Sequence, residues 1–349
     1  MARGVVRLAT GQSSAFWRSS PGPGRPARRH NALPVACNEG CPCPSLIHNS
    51  TPPSEHSCTV NLDMLYPLTF HPIYKQHPWG GRNLERLYRK PLPPDTLIGE
   101  SWEICDREEG RSVIANGPLA GHDLRWLIEH RSQELMGQAK TIRGRFPLLV
   151  KLLDANQAPS VQVHPGPVAA DRLGGEPKTE LWYVAYAIPG AKLHVGLRPG
   201  VQRLQFERKV ADGSVMDCLH EVPVRPGDAI LVPPGRVHTI GAGIVVFEIQ
   251  ENSDTTYRIF DWNRLGPDGN PRELHVDRAL AAMDFEDVEP VVVPPDFQEQ
   301  AGARVRKLAE IPLFSIEENQ VPTDFELRFQ PAERPAIVCV VAGTLRIQH

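Results

Sequence analysis

The sequence predicts a mainly β protein, a sandwich, jelly roll or barrel built from many short strands. From residue 66 onward, short apolar or alternating runs recur, and turn residues separate them. The chain contains 28 Gly and 35 Pro among its 349 residues, which suits frequent tight turns. Few segments have helical periodicity, so we expect helices to be peripheral.

The predicted elements follow in chain order. Strands are predicted at 68–74 and 98–105, with the loop His77-Pro78-Trp79-Gly80-Gly81 between them. Residues 122–136 place leucines and an isoleucine at near-helical spacing, which predicts an amphipathic helix. Two further helices and eight further strands complete the pattern: helices at 202–210 and 276–283, and strands at 146–153, 160–164, 180–187, 192–197, 218–224, 229–232, 244–250 and 256–261.

Four potential metal donors lie in this strand-like sequence. Gln162 and His164 are two residues apart, so on a strand they point to the same face. Glu180 opens the next apolar run, and His238 follows a Pro-Pro-Gly turn. Two imidazoles, one carboxylate and one amide oxygen suit a borderline divalent ion such as zinc. The four residues therefore predict a metal site.

Residues 227–238 match a known motif. A Gly is followed by five residues, Pro-x-Gly, two residues and the His, which is the second cupin motif. Together with 252–262, Asn-Ser-Asp-Thr-Thr-Tyr-Arg-Ile-Phe-Asp-Trp, the chain resembles the type I mannose-6-phosphate isomerases, over roughly residues 66 to 285 and weakly over 305–349. The resemblance is to the short bacterial type. It implies a cupin-type jelly-roll barrel with a few peripheral helices and one zinc ion per chain.

The resemblance also implies an activity, the interconversion of mannose 6-phosphate and fructose 6-phosphate through an enediol intermediate. Arg258, in Thr-Thr-Tyr-Arg, resembles the family's active-site arginine, whose permanent charge can stabilise an enediolate or hold phosphate oxygens. Lys151 and Glu248 match a lysine and an acidic residue of the family pocket, and Lys178 precedes the glutamate of the donor set by two residues. Asp261 is expected to be a structural partner, because it is on the opposite strand face from Arg258.

Two other functions remain open at this stage. A cupin oxygenase with non-haem iron would use the same fold, but that class prefers histidine-rich ligation or two histidines and a carboxylate. Gln162 and Arg258 speak against it. A metal-bound cupin that senses a sugar without turning it over would keep the same donors. The retained motif residues favour an enzyme.

The chain is predicted to have three parts. Residues 1–63 are rich in Pro, Arg and Ser and have no apolar period, so we expect a disordered extension or a start codon assigned too early, in preference to a transit peptide. Residues 64–290 form the catalytic cupin domain. Residues 303–349 form an incomplete second cupin-like lobe, with four strands at 311–316, 325–329, 337–341 and 345–347.

The shortened lobe predicts an exposed sheet edge, and hence a monomer prone to weak homodimerisation. The alternative is that an amino-terminal strand covers this edge.

Composition narrows the possible partners and the location. The formal net charge is −3, which argues against nucleic acid, and no apolar run approaches the ~20 residues of a membrane span. In the sequence that follows the amino-terminal extension, Cys105, Cys218 and Cys339 are scattered and odd in number, the pattern of free thiols in a reducing cytoplasm. The expected partner is a small phosphosugar in the cytoplasm.

Overall fold

The structure is a computed structural model. It describes residues 4–11, 15–18, 65–266, 269–322 and 334–348.

Most of the described residues with regular structure lie in strands. The helices are α1 (Asn83–Tyr88), α2 (Leu124–His130), α3 (Ser132–Met136), α4 (Pro167–Leu173), α5 (Arg203–Ala211) and α6 (Val276–Ala282), with a 3₁₀ turn at Val215–Cys218. The strands are β1 (Gly4–Gly11), β2 (Ala15–Arg18), β3 (Ile73–Gly81), β4 (Ile98–Ile104), β5 (Asp106–Arg107), β6 (Gly110–Arg111), β7 (Leu148–Ala155), β8 (Val161–Val163), β9 (Glu180–Ala187), β10 (Lys192–Leu197), β11 (Leu219–Pro223), β12 (Ala229–Val232), β13 (His238–Ile240), β14 (Ile244–Glu251), β15 (Tyr257–Phe260), β16 (Gln298–Gln300), β17 (Ala303–Glu310), β18 (Phe314–Val321), β19 (Ala336–Ala342) and β20 (Leu345–Gln348).

Two antiparallel sheets form the central part of the molecule. One has six strands in the order β12-β9-β14-β7-β4-β3, and the other has five in the order β11-β10-β13-β8-β15. The prediction of a mainly β fold is confirmed, but across the described residues the sheets do not close into one hydrogen-bonded barrel. The described edge strands β3 and β12 of the first sheet do not pair with the edge strands β11 and β15 of the second. Within the five-stranded sheet, β8 and β13 have three residues each and pair with each other only through Gln162 and His238.

The six-stranded sheet is covered on both faces. Every residue of β7 is buried, which explains why six of its eight residues are apolar and why its sequence does not alternate; the two exceptions are Lys151 and Asp154. One face packs on helices α1 to α3 and on apolar residues of β17 and β18. The other face packs on the five-stranded sheet through a core that includes Trp182, Leu193 and Ile230. The sheet is therefore the rigid centre of the fold.

The helix predicted at 122–136 is interrupted. α2 begins after Asp123, whose carboxylate accepts a hydrogen bond from the backbone N–H of Trp126 at 2.7 Å. It ends at Arg131, where φ is −132°, and α3 follows directly. Helices α1 and α4 were not predicted, because each is too short to show a periodic apolar pattern. No helix in the described part of the chain is long and apolar enough to cross a membrane.

The loop predicted at residues 77–81 lies within β3. Its pairing with β4 shifts in register around Gln76, so the strand bulges there. Gly80 and Gly99 allow the two backbones to approach closely, since a Cβ on Gly80 would lie 2.4 Å from the backbone nitrogen of Gly99. The bulge decides which side chains of this segment face the interior.

The last part of the chain forms a further sheet in the order β16-β17-β18-β1-β19. β1 runs parallel to both β18 and β19, and β2 pairs in parallel with β20. Residues 4–11 and 15–18 of the extension predicted to be disordered are therefore strands in this structure. β1 lies between β18 and β19, which is a pairing of the kind expected in the alternative that an amino-terminal strand covers an edge of this lobe.

Other predictions for the lobe had mixed outcomes. The strands predicted at 337–341 and 345–347 correspond to β19 and β20. The strand predicted at 311–316 is displaced to β18, and β17 was not predicted. The strand predicted at 325–329 and most of the amino-terminal extension lie outside the described residues. The three-part division of the chain stays a prediction.

Candidate metal centre and active site

Three of the four predicted metal donors converge on one point inside the fold. The candidate ligand atoms of His164, Glu180 and His238 all lie within 4.8 Å of one another. His164 Nε2 is 3.3 Å from one carboxylate oxygen of Glu180, and His238 Nε2 is 3.5 Å from the other. All three side chains are almost completely buried. The fourth predicted donor, Gln162, brings its amide group to 3.2 Å from His238 Nε2.

The donors come from both central sheets. Gln162 is the middle residue of β8, His164 follows the end of that strand, and His238 opens β13 directly opposite Gln162. Glu180 opens β9 in the six-stranded sheet. The predicted spacing of two residues places Gln162 and His164 on one side, as a strand requires.

Each imidazole is held by its Nδ1 atom. His164 Nδ1 lies 3.0 Å from the carbonyl oxygen of Thr255, and His238 Nδ1 lies 2.8 Å from that of Arg236. A carbonyl can only accept, so Nδ1 carries the hydrogen in both rings. Each neutral ring then presents the lone pair of Nε2 to Glu180. This is the tautomer that a histidine adopts when Nε2 binds a metal ion.

The charge state of these residues also suits a metal ion. Burial, with a further contribution from the neighbouring Lys178 ammonium, lowers the pKa of His164 to about 4. Burial lowers the pKa of His238 as well. For Glu180, burial acts to raise the pKa, but the charge of the adjacent Lys178 ammonium opposes it, and the pKa is well below its usual value. The site therefore holds two neutral imidazoles and a carboxylate, the protonation states that metal ligands need.

Buried atoms of this cluster lack a hydrogen-bond partner, among them Nε2 of His164 and Oε1 of Glu180. Leaving such atoms without a partner costs about 1–3 kcal/mol each, and a cation bound between them removes that cost. The oxygen and nitrogen of a glutamine amide have nearly the same shape, so the amide can be flipped by 180°. After this flip, the Gln162 oxygen points to the same place as the other donors. The residues present fit a divalent metal ion.

A row of alternating charges extends from this cluster. Lys178 Nζ lies 3.0 Å from Glu180 and 3.9 Å from Glu248. Lys151 Nζ lies 3.4 Å from the same Glu248 oxygen and 3.3 Å from Glu100. The side chains in this row other than Glu100 are at most 5% exposed. The predicted residues Lys151, Lys178 and Glu248 are thus brought together beside the donors.

The charges in this row stabilise one another. Burial acts to lower the pKa of Lys151, but Glu100 and Glu248 outweigh it and raise the pKa above its usual value. Burial acts to raise the pKa of Glu100, and Lys151 and His77 outweigh it, so that carboxyl group stays ionised. Glu248 is fixed by a hydrogen bond of 3.0 Å from the indole N–H of Trp182.

Arg258 and Asp261 differ in their contacts, and the role predicted for Arg258 stays a prediction. Asp261 accepts hydrogen bonds from Arg264 and Arg272 at 2.6–2.7 Å, so it is a structural partner. Arg258 donates from Nη1 to the carbonyl oxygen of Glu273 at 2.8 Å, and its Nε makes no hydrogen bond within the described structure. Arg258 is the direct cross-strand neighbour of Gln162.

These groups open onto a cavity of about 500 Å³, within the range of small-ligand sites. Its walls include Gln162, Lys178, Lys151, Glu248 and Arg258. Sequence reasoning missed several other wall residues, among them Lys75, His77, Glu100, Trp102 and Arg272, which lie outside the two motifs, and Asp254, which lies within the second. One signal was available: the Trp-Gly-Gly segment at 79–81 resembles the family and marks β3 as part of the site.

Comparison with known proteins places the chain in a family. Residues 68–188 match the family model for the phosphomannose isomerase type I catalytic domain. Mannose-6-phosphate isomerase of Streptococcus mutans is 35% identical over 81% of this chain and 87% of its own length. The chain belongs to the type I mannose-6-phosphate isomerase family. ManA of Bacillus subtilis, a mannose-6-phosphate isomerase, is 38% identical over 62% of this chain and 68% of its own length.

The structures agree with the sequences. The crystal structure of mannose 6-phosphate isomerase from Bacillus subtilis superposes with a TM-score of 0.66 and 31% identity, over 71% of this chain and 78% of that one. Family membership favours an isomerase over the oxygenase and the sugar sensor considered from the sequence. It also confirms the cupin-type fold, as a two-sheet jelly roll.

Proposed function

We propose that this protein is a mannose-6-phosphate isomerase, an aldose–ketose isomerase that interconverts mannose 6-phosphate and fructose 6-phosphate. One observation carries the proposal. Two neutral imidazoles and a carboxylate with unpartnered atoms lie beside a cavity that also contains two lysines and Arg258, an arginine without a carboxylate partner in the described structure. Such a site combines a place for a divalent ion with cations for an anionic sugar.

The reaction moves one carbon-bound proton. A base removes the proton from C2 of the open-chain aldose and returns it to C1, while the hydroxyl proton of O2 moves to O1, so no proton is gained or lost. A metal ion held by Gln162, His164, Glu180 and His238 supplies Lewis-acid polarisation of the sugar oxygens. We propose zinc for this ion, because the donor set suits it.

We assign the other roles in the reaction to residues beside the metal donors. Glu248 and the two lysines that flank it, Lys151 and Lys178, form the group of proton carriers nearest the donors. Trp182 orients the Glu248 carboxylate through its indole N–H. Arg258 stabilises the negative charge that develops on the enediolate. Lys75 and Arg272 offset the charge of the sugar phosphate within the same cavity.

We further propose a cytoplasmic enzyme that is a monomer or a weak homodimer. The free thiols of Cys105, Cys218 and Cys339 support the first part. The pairing of β1 between β18 and β19, which gives both strands a neighbour within the chain, supports the second.

Metal analysis of the purified protein, combined with an assay for fructose 6-phosphate formed from mannose 6-phosphate, tests the proposal. We expect about one zinc ion per chain and turnover that a chelator abolishes and zinc restores. His164→Ala is the matched variant, which should lose metal and activity together. A fully metal-loaded protein that binds mannose 6-phosphate without converting it would replace the isomerase with the sugar sensor.

A further inference from the structure

His77 is held in the cavity wall by its contacts with neighbouring side chains. Its Nε2 donates a hydrogen bond to one oxygen of Glu100 at 3.1 Å. Its ring stacks on that of Trp79, with a distance of 4.7 Å between the ring centroids and an angle of 8° between the ring planes. Gly99 makes room for this arrangement, because a Cβ there would lie 2.7 Å from the Cβ of His77 and 2.8 Å from the indole ring of Trp79. The bulge in β3 turns this segment towards the cavity. These contacts fix the orientation of the His77 ring before any ligand binds.

The contact with Glu100 determines which ring nitrogen is basic. Glu100 is an ionised carboxylate, because Lys151 and the indole N–H of Trp102 also bind it, the latter at 2.7 Å. A carboxylate can only accept, so Nε2 of His77 carries the hydrogen and Nδ1 has the lone pair. No residue in the described part of the chain hydrogen-bonds Nδ1. The side chain is 26% exposed, so solvent and ligands can reach it.

His77 also differs chemically from the other groups of the cavity. Among the described residues that line it, His77 is the one histidine. Lys151 and Lys178 are each engaged by buried carboxylates, and the arginines stay charged at neutral pH. An imidazole can accept a proton at a ring nitrogen and donate it again from the same atom, as general acid–base catalysis requires. The cavity therefore has a two-way acid–base group that the isomerisation step does not use.

The substrate needs such a group before it can isomerise. A hexose phosphate is mostly a closed ring, whereas the C2 proton can be moved only in the open-chain aldehyde. Opening requires the anomeric hydroxyl to lose its proton, the C1–O5 bond to break with its electron pair going to O5, and O5 to gain a proton. One proton leaves O1 and one arrives at O5, so a single imidazole can carry it from one oxygen to the other.

We propose that His77, positioned by Glu100 and Trp79, is the acid–base group that opens the sugar ring in this cavity. Nδ1 takes the proton from the anomeric hydroxyl and delivers it to O5. Glu100 stabilises the imidazolium that forms between these two transfers, in the way a carboxylate orients and supports a catalytic histidine. The inference rests on the proposed isomerase function and adds a residue to it.

The rate of exchange between the α and β anomers of mannose 6-phosphate measures ring opening separately from isomerisation. Magnetisation-transfer NMR on the metal-loaded protein reports this exchange. His77→Gln keeps the approximate size and one donor of the side chain but removes the base. Positioned acid–base groups contribute about 10²–10⁴ in rate, so we expect the protein-catalysed exchange to fall by at least about 10² and kcat to fall to the rate of spontaneous opening.

Two comparisons separate this role from a structural one. His71→Gln alters an exposed histidine that lies two residues before β3, and it should leave the anomer exchange unchanged. His77→Ala should regain exchange when free imidazole is added, whereas a packing defect would not respond. Metal content and melting temperature should match wild type in both His77 variants.

The outcomes distinguish the two proposals. Wild-type protein that neither opens nor isomerises mannose 6-phosphate overturns the proposed function. Wild-type protein that isomerises, with His77→Gln retaining full anomer exchange, overturns only the role of His77. Loss of exchange in His77→Ala without rescue by imidazole also overturns it.

Discussion

Replacing Arg258 by Ala should separate turnover from stability. In the free protein this arginine makes one side-chain hydrogen bond, to the carbonyl oxygen of Glu273 at 2.8 Å. Burial lowers its pKa, and the neighbouring Arg272 lowers it further, so the charge is held at some cost to the fold. One hydrogen bond from a charged group contributes about 1.5–3 kcal/mol. Relief of burial and repulsion offsets much of that, so we expect the free energy of unfolding to change by only about 1 kcal/mol.

The effect on catalysis should be much larger. Removing one donor that stabilises a developing oxyanion costs about 10²–10³ in kcat, equivalent to about 2.7–4 kcal/mol. Arg258→Lys should restore little, because an ammonium lacks the planar fork of the guanidinium. Steady-state kinetics with mannose 6-phosphate, alongside thermal melting and metal analysis, measures all three quantities.

Arg264→Ala is the matched control. Arg264 binds Asp261 at 2.6 Å and the carbonyl oxygen of Ala158 at 2.8 Å, and it does not line the cavity. This variant should lose stability and keep its turnover, the reverse of Arg258→Ala. A normal kcat in Arg258→Ala, or a loss of metal that accounts for its low activity, would refute the reasoning.

Three further predictions follow from other parts of the molecule. His238→Ala should remove bound metal together with activity, measured by elemental analysis, and full occupancy would show that the ion binds elsewhere. Deleting residues 1–18 should lower hydrogen-exchange protection in β18 and β19 and favour dimers by light scattering, with kcat unchanged, because those strands lose β1 as a neighbour; unaltered protection would contradict the pairing. Burial acts to raise the pKa of Glu176, but hydrogen bonds and charge from Arg107 and Arg145 outweigh it and lower the pKa. The stabilisation is therefore present above the unfolded pKa, about 4.5, and is lost as pH falls through the folded value. Glu176→Gln should flatten the fall of melting temperature below pH 5, with Glu109→Gln, a more exposed partner of Arg107, as the control; an unchanged pH profile would argue against the pairing.

The convergence of the proposed metal donors could be predicted from sequence because their signals are local. Gln162 and His164 share a strand face by spacing alone, and His238 is marked by the glycine and prolines of its turn. The neighbours Glu100 and His77 carry no such signal. They reach the cavity through the pairing of β4 with β7 and through a bulge in β3, and a bulge reverses the facing that alternation would predict.

Two other elements, α4 and β1, could not be predicted from the sequence for a different reason. A short helix such as α4 has fewer than two turns of pattern, so proline at its start was its main indicator. The placement of β1 depends on strands in the distant carboxy-terminal part of the chain, and strand pairing at that separation leaves no trace in local composition. The local sequence of β1 therefore predicts no structure when it is considered alone.

The proposed donors of the metal ion belong to different sheets, and this has a consequence for motion. Gln162 and His238 lie in the five-stranded sheet, whereas Glu180 lies in the six-stranded sheet. An ion bound by all of them joins the sheets at one point, much as a cross-link does. Without it, the short strands β8 and β13 keep few ladder bonds of their own, and local opening there needs little free energy. Amide hydrogens of these two strands should then exchange with solvent in the metal-free protein long before those of β7 and β9, which places the onset of unfolding at the catalytic centre.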